Sequence, residues 1–152
     1  MEDSQQSMFP MRVLSIIALC AVLLASCDQA SKVEVPQVRG DGSWPVTVKS
    51  DGGGYEVTLQ PSGGGILWNK HFSLEMNLKS ERPLSEDFEV RVDADMPAHR
   101  HGMNTKAEVF DQGKFAYVVE GMLFHMKGDW VITVELTEGG VTEKAEFPVL
   151  IK

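Results

Sequence analysis

Phe88-Glu89-Val90-Arg91-Val92-Asp93-Ala94 alternates apolar and charged residues without a break. Successive side chains of a strand point to opposite faces, so this run puts Phe88, Val90, Val92 and Ala94 on a dry side and Glu89, Arg91 and Asp93 in water. Upstream, Tyr55, Val57 and Leu59 repeat the pattern, as do Phe72, Leu74, Met76 and Leu78. Val46 and Val48 give a short strand after Trp44 and Pro45. Downstream, Phe115 to Phe124 is a longer strand, Trp130, Ile132, Val134 and Leu136 make the next, and Ala145, Phe147 and Val149 the last. Turn clusters at 51–54, 61–65, 80–83 and 138–140 bound these runs. Short alternating strands at this spacing, with no helical period, predict an all-β fold: an immunoglobulin-like antiparallel β-sandwich of about seven strands over residues 44–152.

The start of the chain reads differently. Val13 to Leu24 is an apolar run behind Arg12, too short to span a bilayer and suited to a secretory signal. Met11 is a more natural start than Met1 for such a signal, because Glu2 and Asp3 fall where positive charge is needed. The run ends in Leu24-Ala25-Ser26-Cys27, which resembles the lipobox of bacterial lipoproteins. That resemblance implies a signal peptide over 1–27, diacylation of Cys27, a membrane anchor and a place in the cell envelope, with the domain facing the periplasm or the exterior. Residues 28–43 are polar and aperiodic and read as a flexible tether. If Cys20 leaves with the signal and Cys27 carries lipid, no thiol pair is left for a disulfide.

Composition excludes some classes of function. The net charge of −8, with no Lys/Arg run, argues against tracking a phosphate backbone, so no nucleic acid is expected as a partner. No H-E-x-x-H, G-x-S-x-G or P-loop sequence is present, and the glycine runs at 52–54 and 63–65 read as hairpin turns; an enzyme is not expected.

Two stretches concentrate the soft-metal chemistry: Met96-Pro97-Ala98-His99-Arg100-His101-Gly102-Met103 and Gly121-Met122-Leu123-Phe124-His125-Met126. Imidazole and thioether together are what copper, Cu(I) above all, selects over hard oxygen ligands. In extended chain His99, His101 and Met103 point to one side, and Gly102 supplies loop freedom. His125 and Met126 point to opposite sides of a regular strand, so both reach one ion only if a bulge or the Lys127-Gly128-Asp129 turn reorients one of them. The competing reading is structural. Met122 and Met126 are also suited to fill a core, His125 to sit buried with a hydrogen bond, His99 and His101 to be solvated, and His71 to lie at the surface.

These two stretches, with Gly128 and Trp130 behind them, resemble the YtkA-like family and its FixH-like relatives, small extracytoplasmic β-sandwich domains. The resemblance covers roughly residues 55 to 150 and implies an immunoglobulin-like fold with a role in copper handling. Carried over residue by residue, it makes His99, His101 and Met103 the leading ligands, His125 and Met126 the next, and Met122 and Met96 the last. The expectation is therefore a copper-binding lipoprotein, with Cu(I) favoured, acting as a chaperone or handler towards a periplasmic or membrane metalloprotein. The alternative is a non-catalytic interaction module of a membrane or periplasmic redox system that binds no metal.

Overall fold

The burial pattern follows the alternation. In Glu89–Met96 the side chains of Val92, Ala94 and Met96 are buried and those of Arg91, Asp93 and Asp95 exposed. The computed structural model describes residues 37–152; the signal segment and Cys27 lie outside them.

The strands are β1 (Val38–Arg39), β2 (Val46–Lys49), β3 (Tyr55–Pro61), β4 (His71–Ser80) and β5 (Glu89–Met96), then β6 (His101–Gly102), β7 (Glu108–Gly113), β8 (Ala116–Leu123), β9 (Gly128–Glu138) and β10 (Val141–Ile151). They form two five-stranded sheets, in the orders β1-β10-β9-β5-β6 and β2-β3-β4-β8-β7. The inward rows of both sheets meet in a single cluster. Ala94, Met96, Trp130, Ile132, Val134, Phe147 and Val149 come from the first sheet, and Val57, Leu59, Leu74, Met76, Val119 and Met122 from the second. This is the β-sandwich the alternation predicts.

Three short strands join the seven that were legible. Val38–Arg39 pairs parallel with Val149–Leu150, so one edge of an otherwise antiparallel sheet is mixed. Strand structure thus begins inside the stretch read as tether, and Gly40 extends the attachment: its N–H bonds the Leu150 carbonyl at 2.9 Å and its own carbonyl accepts from Ile66 at 2.6 Å. The other two additions are edge strands: β6, which contains His101, ends the first sheet, and β7 ends the second.

One irregularity sets the phase of the second soft-metal stretch. Leu74 pairs with Val119 but Phe72 with Met122, so β8 carries an extra residue there. Gly121 supplies it, with φ of +79°, a conformation that costs glycine little. Before the bulge Tyr117 and Val119 point inward; after it Met122 and Phe124 do. A one-residue shift in phase exchanges the two faces of a strand, and here it brings Met122 and Phe124 into the core.

The end of the sandwich where β9 finishes is held by a polar cluster. Glu138 accepts from the Ser85 N–H at 2.7 Å and from the Tyr55 hydroxyl at 2.8 Å, and forms an ion pair with Arg82. The Ser85 N–H first, then the Tyr55 hydroxyl, hold the Glu138 carboxyl down to about 2. Burial, followed by that bond to Glu138, pushes the Tyr55 phenol up to about 12.

Candidate metal centre

The opposite end of β9, where Gly128 and Trp130 lie, gathers three histidines and a methionine. β5 ends at Met96, whose carbonyl accepts from the N–H groups of both His99 and Arg100 at 2.9 Å. Arg100 takes a left-handed φ of +55°, which turns the chain back to pair His101 with Met96. Directly paired residues share a sheet face, so His101 inherits the inward face of buried Met96. The Met103 N–H bonds the Ala94 carbonyl at 3.2 Å, which puts Met103 on the same side two residues on. His101 and Met103 therefore keep the expected row, while His99 leaves it for the exposed turn.

From the other sheet, β8 stops at Leu123 and the chain turns through His125 and Met126 into β9. Three consecutive carbonyls in this turn are fixed from outside. Phe124 O accepts from the Asn69 N–H at 2.8 Å, His125 O from the Trp68 indole at 3.2 Å, and Met126 O from the Trp130 indole at 2.9 Å. Trp130 is fully buried and stacks on Phe124 at 4.4 Å between ring centres, so the turn hangs on the core.

The two stretches meet at His101. Its Nε2 lies 3.1 Å from Sδ of Met126. Its ring centre is 5.7 Å from that of His99 and 5.7 Å from that of His125. His125 stands edge-on to Trp130 at 5.5 Å, and its Nδ1 is buried without a hydrogen-bond partner. Buried polar nitrogens are normally satisfied, so this one is a ring nitrogen with its coordination capacity unspent. The chain bends at Met126 and Lys127 rather than at Lys127-Gly128-Asp129, whose last two residues already belong to β9, and His125 and Met126 both lie next to His101.

The remaining sequence candidates separate. Met96 and Met122 are fully buried core residues, Met103 is half-buried and packs against the core, and His71 is exposed on β4. Among the described residues no three His, Cys, Asp or Glu side chains form a metal-holding group, so a complete donor set needs the thioether of Met126. The dimensions suit one. Nitrogen and sulfur held about 2.0 and 2.3 Å from one ion stand roughly 3.5 Å apart at a tetrahedral angle, within a small rotation of the flexible Met126 side chain. A separate surface depression is lined by Leu84, Phe88, Val90, Val109 and Tyr117, and no histidine lines it.

One residue of the site was not read from the sequence. Trp68 lies outside every alternating run, in a glycine-rich turn segment, and only its place beside His125 gives it a role. No family model, no curated protein and no solved structure matches this chain.

Proposed function

We propose that this chain is a lipid-anchored copper-binding protein of the cell envelope that holds Cu(I) on His101, Met126 and His125, with His99 at the rim as an entry ligand. The observation that carries the reading is the approach of His101 Nε2 to Met126 Sδ at 3.1 Å, with the His125 ring centred 5.7 Å from that of His101. An imidazole and a thioether facing each other are a donor pair suited to a soft monovalent ion. Met126 is 37% exposed and His99 lies in an open turn, so an ion here remains within reach of a second set of ligands. That accessibility suits ligand exchange with a periplasmic or membrane metalloprotein better than permanent storage. Cys27 as lipid attachment, the YtkA-like relationship and the envelope location belong to the same proposal and rest on the residues of the two motifs.

The test is Cu(I) titration of the purified protein against a competing chelator under reducing conditions, alongside the His101→Ala/Met126→Leu double variant. Near-stoichiometric uptake, lost in the variant, is the expected result. A folded protein that takes up no copper overturns the reading and leaves the metal-free interaction module as the better account.

A further inference from the structure

The loop beside the metal centre exposes two large apolar side chains, Leu67 at 53% and Trp68 at 49%. Its neighbours are cationic. Lys127 places its ammonium 5.0 Å from the centre of the Trp68 ring, Lys70 follows in the same loop, and Lys152 lies across the shallow cleft that Leu67 and Trp68 line. Of the carboxylates at this end, Asp41 is ion-paired with Arg39, Asp129 accepts from Gln37, and Asp95 lies on β5, two strands from β10. The far end is mixed: Glu56, Glu81, Glu86, Asp87, Glu138, Asp51 and Glu143 lie there with Lys49, Lys79, Arg82 and Lys144. Although the chain has a net charge of −8, it sets Lys70, Lys127 and Lys152 around its exposed tryptophan.

The first described strand is fastened near this end. Gln37 bonds Asp129 at 2.6 Å, and Ile66, next to Leu67, bonds Gly40.

We propose that the Leu67–Trp68 loop is a second membrane contact, seated in the headgroup layer of an anionic leaflet with Lys70 and Lys127 against the lipid phosphates. The Trp68 N–H is already bonded to the His125 carbonyl, so the ring offers its apolar edge to that layer, where indoles are enriched. Lysines beside it gain from the negative surface potential. The contact holds His99, His101 and Met126 towards the membrane, where a membrane-embedded metalloprotein could meet them. It goes beyond copper binding and takes from the proposed function only the lipid on Cys27.

The test uses the full processed chain on vesicles of phosphatidylcholine and phosphatidylglycerol, with and without brominated acyl chains, read by tryptophan emission. Trp130 is buried and Trp44 half-buried, so Trp68 is the fluorophore placed to meet lipid. The expected result is that bromine removes the Trp68 share, about one third of the emission of three tryptophans. Trp68→Phe abolishes the loss, and Lys70→Glu/Lys127→Glu reduces it. Emission unaffected by bromine, or quenching that persists in Trp68→Phe, overturns the proposal and leaves the loop as a surface for a protein partner. Mass spectrometry of the N-terminus reads the anchor separately. Quenching without acylation leaves the contact standing and removes the anchor, while acylation without quenching does the reverse.

Discussion

Trp130 donates its indole N–H to the carbonyl of Met126 at 2.9 Å while its ring lies stacked on Phe124. One core side chain therefore fixes both the floor of the candidate site and the backbone of one of its ligands. Trp130→Phe keeps much of the stacked area but removes the donor. The part-buried Met126 carbonyl then lacks its partner, at a cost of about 1–2 kcal/mol in stability. Outer-shell contacts of this kind tune metal affinity, so Cu(I) binding should weaken about tenfold. Denaturant melts and chelator competition on the same variant check both. Lowered stability with unchanged affinity would show that the Met126 backbone needs no such support.

Three of the sequence candidates, His101, Met126 and Met103, should not behave alike. His101 touches Met126 and stands between His99 and His125, so His101→Ala should cost about 100-fold in Cu(I) affinity, on the order of 2.7 kcal/mol. Met126→Leu removes the sulfur at similar volume and should cost about tenfold. Met103 packs against the core, so Met103→Leu should stay within about threefold. If Met103→Leu proves as damaging as His101→Ala, the ion lies deeper than the His101–Met126 pair.

How far the sequence discloses this arrangement depends on the kind of interaction. Alternation identified seven strands because burial on one face leaves a period of two, as in Val90, Val92 and Ala94. β1, β6 and β7 escaped it. The first and second have two residues each, too few to show a period, and along the edge strand β7 only Val109 is even half-buried. The meeting of His101 with Met126 spans 25 residues and two sheets, so no local spacing encodes it. The expected row of His99, His101 and Met103 held only from His101 onward, because Arg100 adopts a left-handed turn that a non-glycine residue seldom signals. Trp68 was invisible because its partner, the His125 carbonyl, is a backbone atom.

Gly121 offers a sharp test of the bulge. Its φ is +79°, and an added Cβ would collide with the Lys106 carbonyl, which is backbone and cannot swing aside. Gly121→Ala should therefore destabilise the domain by about 1–3 kcal/mol. Because the bulge phases Met122 and Phe124 into the core just ahead of His125, Cu(I) affinity should fall with it. By contrast, Gly63→Ala, at a turn where an added Cβ meets nothing within 4 Å, should leave both properties nearly unchanged. Equal melting midpoints for the two variants would rule out a strained bulge at Gly121.

Acid should act at the other end of the molecule. The Glu138 carboxyl is held down to about 2 from an ordinary 4.5, so the folded state binds its proton less readily than the unfolded chain. Its contribution is fully present above about pH 4.5 and is lost as pH falls towards and through about 2, since the unfolded state takes up the proton first. Glu138→Gln should lower the denaturation midpoint at neutral pH and remove this part of the acid limb, so that the midpoints of the two proteins converge between about pH 4.5 and 2. Tyr55→Phe, which removes one donor to the carboxylate, should weaken the same acid limb without abolishing it, because the Ser85 N–H remains. Midpoints that stay parallel for the natural protein and Glu138→Gln down to pH 2 would assign the acid sensitivity to other carboxylates.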